Sequence, residues 1–311
     1  MLSILLPGPL VGAITFLVLL ASTLVTFAFL LPAILLKLIP YHPLQRGCSR
    51  YCVGVAARWA GANQLMFRVI HPAQWDIDLR GALDPKRSYL VVCNHQSWAD
   101  ILILFDAFHG RVPLLRFFLK DQLRYVPVIG MACWAMDFPF MKRHGKAAIA
   151  ANPQLRNEDL EATRRACEVY RNEPVAVVNF LEGTRFTEAK RIEKRSPYRH
   201  LLPPKAAGLS FALNAMGDHF AGIIDVTLAY RPMTRKWLWW SWLCGEQDLL
   251  SLHMDVRPIP ADLISGNYEA DAEFRARFQA WTNDLWSKKD ARLDRLNDQT
   301  VAPPARPAHH F

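Results

Sequence analysis

Apolar residues run almost unbroken through the start of the chain, and from Met1 to Leu36 no charged residue interrupts them. A bilayer core of about 30 Å takes roughly 20 apolar helical residues. The uncharged run is 36 residues long, which as one helix extends about 54 Å at roughly 1.5 Å per residue. One straight span does not fit. Either a tilted span extends past the membrane, or the segment breaks into two helices, for instance around Pro32, and lies partly in one leaflet. A cleaved leader fits poorly, because no basic residue precedes the run and it exceeds a typical h-region. The expectation is a retained, membrane-anchoring helical segment over 1–40.

Beyond it, short β-rich runs alternate with helical periodicity. Strands are predicted over Gln64–Ile70, Trp75–Arg80, Ser88–Asn94, Asp137–Met141, Pro174–Leu181, Gly222–Tyr230 and Leu250–Val256. Helices are predicted over Ser97–Phe108, Asp159–Asn172, Pro204–Met216 and Glu269–Asn297. This alternation predicts one α/β domain over 41–298, with a mixed, largely parallel sheet flanked by helices. The last helix carries Phe274, Phe278, Trp281 and Leu285 on one stripe, which packs on the body. Residues 299–311 end in VAPPARPAHHF, a composition that predicts a disordered tail. WLWWSW, from Trp237 to Trp242, admits two readings: tryptophans in a membrane headgroup layer, or a strand burying alternate rings.

Charge adds direction. Lys37 is the first charged residue; Arg46, Arg50, Arg58 and Arg68 follow before the first acidic one, Asp76. By the positive-inside rule this basic flank places the body on the cytoplasmic side of an inner membrane. The net charge of +9 suits phosphate-bearing partners such as an anionic membrane, a charged acyl carrier or nucleic acid. No nucleic-acid module or interleaved cation–aromatic pattern is visible, so a nucleic-acid partner is not expected. With 51% hydrophobic and 21% charged residues, the chain is not a disordered one. The cysteines Cys48, Cys52, Cys93, Cys133, Cys167 and Cys244 form no CxxC pair and read as scattered thiols rather than a zinc site.

Two stretches set a histidine five residues before an aspartate: His71 with Asp76, and His95 with Asp100. The spacing alone is uninformative, since on one continuous helix such side chains diverge by about 140°. Context separates the two. His71 is followed by proline and a short strand, whereas His95 ends the apolar run YLVVCN and precedes Ser97, an N-cap candidate, and an apolar helix. Across a strand-to-helix bend, Asp100 can reach the His95 ring and make it a general base. Ser97 to Asp100 is equally the S-x-x-D spacing of a capping box, so local capping explains the same residues. Downstream, FLEGTRF presents Glu182, Gly183, Thr184 and Arg185 at a strand end, where ligands of open α/β sheets gather. Lys205 enters a helix through Pro203 and Pro204, at the end whose free N–H groups favour an anion, and Lys120, Lys142 and Arg143 supply further basic tips. Together they predict a phosphate pocket beside a base.

With these elements in view, the sequence resembles the PlsC-type lysophospholipid (1-acylglycerol-3-phosphate) acyltransferases. NHQSWAD is similar to that family's first motif, NHxSxxD, and FLEGTR to its third, FPEGTR. KDQLRYVPVIGMACWAMDFPFMKR is similar to the stretch that ends in the second motif. The likeness runs from about Ser88 to Tyr230, and the wording HQSWAD, CWAMDFPFMKR and LLPPKAAG is closest to a bacterial, YihG-like subgroup. Leu181 replaces the family's proline, Gln122 its glutamate, and IIDVTLAYRP lacks the proline of the fourth motif.

The resemblance implies acyl transfer from acyl-CoA or acyl carrier protein to the hydroxyl of a lysophospholipid, most simply 1-acyl-sn-glycerol-3-phosphate, with no other cofactor. His95 is implied as the base and Asp100 as its orienter. Arg185, Lys205, Lys120 and Arg143 are implied to hold the acceptor phosphate, with Glu182, Gly183 and Thr184 organising the site. Cys93 is a conceivable nucleophile, yet nothing nearby is built to lower its pKa. A competing reading is a metal-dependent phosphohydrolase with His95, Asp100 and Glu182 as ligands, weakened by having one well-placed histidine.

Overall fold

A computed structural model of the chain describes residues 5–70, 74–141, 152, 154, 170, 173–231, 237–246, 249–264, 266–268 and 270–298. The expected helix Asp159–Asn172, together with Lys142, Arg143, Cys167, His71 and the tail, lies wholly or mostly outside these residues.

The helices are α1 (Gly8–Lys37), α2 (His42–Ile70), α3 (Ala99–Phe108), α4 (Ile129–Ala135), α5 (Glu188–Glu193), α6 (Ala206–Met216), α7 (Leu238–Leu243) and α8 (Ala272–Asp298). The strands are β1 (Gln74–Arg80), β2 (Ser88–Cys93), β3 (Leu115–Phe117), β4 (Leu119–Lys120), β5 (Phe140–Met141), β6 (Ala176–Phe180), β7 (Phe220–Arg231) and β8 (Leu249–Arg257). Six of them form a sheet in the order β1-β8-β7-β2-β6-β3, while β4 and β5 pair separately. Every pairing in the larger sheet is parallel except β7 with β8. The expected mixed, largely parallel sheet is what forms.

Every residue of β2 is buried, as expected of a central strand covered on both faces. Val91, Val178, Val226 and Leu228 pack toward α1, α2 and α3 on one face. Leu90, Val92, Val177 and Ala229 pack toward α6 and α8 on the other. The stripe predicted for the last helix buries Phe274, Phe278 and Leu285 and leaves Trp281 half-exposed. Trp286, one position beyond it, is fully buried and donates from Nε1 to the Leu202 carbonyl at 3.0 Å.

Several expectations are corrected. Gln64–Ile70 is not a strand but the end of α2, whose buried positions Cys48, Cys52, Ala56, Ala60, Asn63, Phe67 and Ile70 recur every three or four residues. Small side chains carry that stripe, so its hydrophobic periodicity is faint beside the β-branched residues at its end. Asp137–Met141 contributes a strand only at Phe140–Met141. WLWWSW is no strand: Leu238–Leu243 is a short helix, with Trp242 buried and Trp237 84% exposed.

The N-terminal run does not break at Pro32, since α1 passes through it as one helix of 30 residues. Among the described residues it is the one helix long and apolar enough to cross a membrane. Both of its ends rest on the body. At Gly12 an added Cβ would sit 2.7 Å from Cys244 Sγ and 3.2 Å from the Trp240 ring, so α7 crosses α1 there at backbone distance. At the other end Lys37 is not a solvated flanking charge. It is buried, and its Nζ donates to Asp137 Oδ1 at 2.6 Å, Ser49 Oγ at 2.8 Å and the Ala135 carbonyl at 2.9 Å. Between these ends Leu17, Val25 and Phe29 stay about 60% exposed.

Candidate active site

Parallel register builds this site. Cys93, the last residue of β2, lies opposite Phe180, the last of β6, and opposite Val226 of β7. The residues that follow β2 and β6 therefore emerge side by side at the carboxyl edge of the sheet, where open α/β folds bind their ligands. His95 emerges from one strand and Glu182 to Arg185 from the other. The Phe186 N–H donates to the His95 carbonyl at 2.7 Å and so ties the two loops together.

The chain bends between β2 and α3, and at that bend His95 Nδ1 meets Asp100 Oδ2 at 2.8 Å. The same oxygen accepts from the backbone N–H of Gln96 at 2.7 Å and of Ser97 at 3.0 Å, while Oδ1 accepts from the Tyr230 hydroxyl. Capping and ring orientation, which the sequence leaves as alternatives, are thus carried out by one carboxylate. Asp100 is fully buried and surrounded by donors, so its oxygens accept and the His95 Nδ1–H donates. The lone pair is left on Nε2, which has no hydrogen-bond partner among the described residues. The imidazole stacks on Phe180 with centroids 4.1 Å apart, and 14% of the side chain remains exposed.

Glu182 is placed differently from a pocket-lining residue. It is fully buried, accepting from the His95 N–H at 2.8 Å and from the Leu202 N–H at 2.9 Å. Burial pushes its carboxyl up to about 7, opposed by those two backbone donors and helped by the nearby Asp100. It braces the backbone of His95. Cys93 is fully buried, and burial drives its thiol well above the ordinary range, which removes it as a nucleophile. With both Asp100 oxygens and both Glu182 oxygens already engaged, the three groups proposed as metal ligands have little left to offer a cation. Among the described residues no cluster of three or more His, Cys, Asp or Glu side chains could hold one.

The basic residues divide. Gly183 adopts φ +66°, and a Cβ there would lie 2.7 Å from Lys205 Nζ, so the glycine turn makes room for that ammonium. Lys205 is the N-cap of α6, one step before the helical turn expected for it, and its N–H donates to the Leu181 carbonyl at 2.8 Å. The Arg185 guanidinium lies over the Trp98 ring, 4.8 Å from its centroid. Thr184 Oγ1 accepts from Lys190 Nζ at 2.9 Å. Lys120 ends β4, exposed and three residues beyond the edge strand β3. Arg143 lies outside the described residues.

Two residues escaped the sequence reading. Tyr230, fully buried, stands 130 positions from Asp100. Asn94 pairs through both ends of its amide with the Leu228 backbone, at 2.9 Å each way, and so extends the β2–β7 ladder by a side chain. Only the asparagine had a signal, its place in the NHxSxxD wording.

A family model described as Acyltransferase matches residues 76–231, half of the chain. An uncharacterized acyltransferase of Saccharomyces cerevisiae is 30% identical over 66% of the chain and 58% of its own length. The 1-acyl-sn-glycerol-3-phosphate acyltransferase 2 of Brassica napus is 24% identical over 68% of the chain and 52% of its own length. Lysocardiolipin acyltransferase 1 of Danio rerio is 23% identical over 78% of the chain and 61% of its own length. The chain therefore spans between half and two thirds of these relatives. The crystal structure of the 1-acyl-sn-glycerophosphate (LPA) acyltransferase PlsC from Thermotoga maritima superposes with a TM-score of 0.54 at 15% identity, covering 92% of this chain and 97% of that one, a likeness of fold. The family match includes β2, β6 and β7, the strands that carry His95, Glu182 and Tyr230, and by it the chain belongs to the acyltransferase family.

Proposed function

We propose that the protein transfers an acyl group from a thioester donor, acyl-CoA or acyl carrier protein, to the free hydroxyl of a lysophospholipid, with 1-acyl-sn-glycerol-3-phosphate as the leading acceptor. One observation carries the reading: the His95–Asp100 contact at 2.8 Å, which leaves the Nε2 lone pair as the acceptor for a proton. His95 takes the hydroxyl proton as the oxygen attacks the thioester carbonyl. The C–S bond then breaks, and the imidazolium returns its proton to the departing thiolate. Asp100 holds the ring in the Nδ1–H tautomer and stabilises the cation formed during transfer. Arg185, Lys205, Lys120 and Arg143 are assigned to the acceptor phosphate; the nearness of Lys205 to the Gly183 turn, two residues before Arg185, supports the first two. The activities named for the plant and fish relatives favour a lysophospholipid acceptor. The wording HQSWAD, CWAMDFPFMKR and LLPPKAAG favours the YihG-like bacterial subgroup.

The membrane-facing surface is assigned to α1. A helix whose two ends both rest on one body cannot carry that body on one side of a bilayer while crossing to the other. The exposed apolar flank of α1 therefore lies along the interface of a single leaflet, which we take to be the cytoplasmic leaflet of an inner membrane.

Purified protein offered labelled lysolipids with acyl-CoA or acyl carrier protein, products read by mass, tests the activity. His95→Ala is expected to lower kcat by about 10²- to 10⁴-fold while melting and membrane association stay unchanged. Wild-type turnover in that variant would remove His95 as the base.

A further inference from the structure

Away from the candidate active site, the edge of the sheet carries a second polar centre. On the face covered by α8, β1 sets Asp78 beside His253 of β8, which in turn lies opposite Thr227 of β7. The last turns of α8 overhang this row and roof a half-open cavity of about 300 Å³, lined by Asp76, Asp78, Arg80, His253, Arg292 and Arg295 among others.

Three features mark the cavity as more than a gap under a helix. The first is His253, whose side chain is nine-tenths buried. Its Nδ1 contacts Asp78 Oδ2 at 2.7 Å, and its Nε2 has no hydrogen-bond partner among the described residues. A buried ring nitrogen without a partner carries a desolvation penalty that a ligand donor would relieve. The second is charge. Three guanidinium groups reach the lining, from Arg80, Arg292 and Arg295, against two carboxylates, Asp76 and Asp78, so cations are in excess; Arg80 pairs with Asp78 at 3.3 Å, and Arg292 donates to Thr227 Oγ1 at 2.9 Å with Asp225 at 4.0 Å. Burial is the main cause that lowers the pKa of Arg292; Arg257 and Arg295 add to it, and Asp225 and Asp255 oppose it. Third, the volume stands at the lower end of small-ligand sites, and the lining is polar. That excludes an acyl chain and an extended nucleotide thioester.

We propose that this cavity binds a small phosphate monoester or free phosphate, separately from the acceptor lipid, with its anionic oxygens on Arg80, Arg292 and Arg295 and its P–OH donating to His253 Nε2. Phosphate fits both demands at once: guanidinium groups recognise its oxygens in a bidentate manner, and its singly ionised form still has a hydroxyl proton to give. The site also has a route to the chemistry. Thr227, which holds Arg292, is followed by Leu228, whose backbone clamps Asn94 and Gln96 on either side of His95.

Because the proposed acceptor pocket would take a phosphate too, the test begins from Arg185→Ala, in which that pocket is impaired. Inorganic phosphate and sn-glycerol 3-phosphate are titrated calorimetrically into the detergent-solubilised full chain. Saturable binding with one site is expected to persist in Arg185→Ala. Adding Arg80→Ala and Arg295→Ala, both exposed residues whose loss leaves the fold intact, is expected to weaken it at least tenfold, as for loss of charge-assisted hydrogen bonds. Equal affinity for the two probes assigns the site to free phosphate, and tighter glycerol 3-phosphate binding assigns it to esters. His253→Phe, which removes the acceptor nitrogen, is expected to weaken either probe. Loss of all saturable binding in Arg185→Ala alone, or binding indifferent to Arg80 and Arg295, overturns the proposal.

Discussion

Two buried carboxylate centres lie on opposite faces of β7, and they are satisfied in opposite ways. At the candidate active site, Asp100 accepts from two backbone N–H groups, the Tyr230 hydroxyl and the His95 ring, and Glu182 accepts from two more backbone N–H groups. Their partners are backbone N–H groups, one hydroxyl and one imidazole. Across the sheet, Asp225 is met by the fully buried Lys289 at 2.6 Å, with Arg257 at 3.7 Å and Arg292 at 4.0 Å. Dipoles hold the first pair without an ion, so among the described residues the imidazole is the one group seen in contact that can gain positive charge. Permanent cations neutralise the second, so its role is mechanical: Lys289 also donates to the Val226 carbonyl and pins α8 to the sheet. The same residue type therefore serves chemistry or architecture according to whether its partners are neutral donors or ions.

The contrast can be broken from either side. The largest effect is expected at the ionic centre, where Asp225→Ala leaves Lys289 buried without a counter-charge and costs about 3–5 kcal/mol. Urea unfolding should show this as a lowered midpoint, and a loss under about 1 kcal/mol, the range of a surface pair, would mean that the pair is not a lock. Replacing both partners by leucine should restore much of the stability.

Next comes the dipolar centre. The folded-state pKa of Glu182 is raised to about 7 from an ordinary value of 4.5, with burial as the main cause. The native state then holds this proton more tightly than the unfolded chain. Its contribution to stability is present in full below about pH 4.5 and declines as pH rises to about 7. About 3 kcal/mol is the upper scale of that decline, at 1.36 kcal/mol per unit. Unfolding free energies measured from pH 4.5 to 7.5 should fall more steeply in the wild type than in Glu182→Gln, and parallel curves would discard this account.

A smaller effect is expected from Tyr230→Phe, which strips one donor from the buried Asp100 carboxylate and costs about 1–3 kcal/mol, visible as a lower melting temperature. Unchanged melting would mean that the hydroxyl adds nothing to the other three donors. The smallest is Trp98→Ala. Removing the ring under Arg185 forfeits about 0.5–1 kcal/mol of cation–π attraction and should raise KM for the lysolipid two- to fivefold with kcat nearly unchanged. A fall in kcat instead would tie Trp98 to the reacting groups.

Much of the centre of the molecule was legible because its signals are local. The apolar run before His95, the bend after it and the helix beginning near Ser97 lie within about twenty consecutive residues, and the strands Ala176–Phe180 and Phe220–Arg231 announce themselves by a high share of β-branched and aromatic residues. Where the hydrophobic signal was spread over small residues, as in α2, or concentrated in tryptophan, as in α7, composition misled, because helical packing accepts both. Lys37 misled for another reason. Its position after an apolar segment reads as a flank, yet the carbonyls and carboxylate that bury it belong to residues about one hundred positions away.

By itself the sequence singled out the candidate groups and showed which of its two equally spaced His–Asp pairs could meet, His95 with Asp100. Five residues across a strand-to-helix bend leave little conformational freedom, and the closing hydrogen bonds are all made within that stretch. Only the tertiary structure decided that Tyr230 completes the shell of Asp100, that Glu182 braces the backbone of His95, and that α1 lies along the body with both ends attached. Those outcomes depend on which strands pair and in what register. Register is set by side chains packing across the whole sheet, so no local pattern contains it.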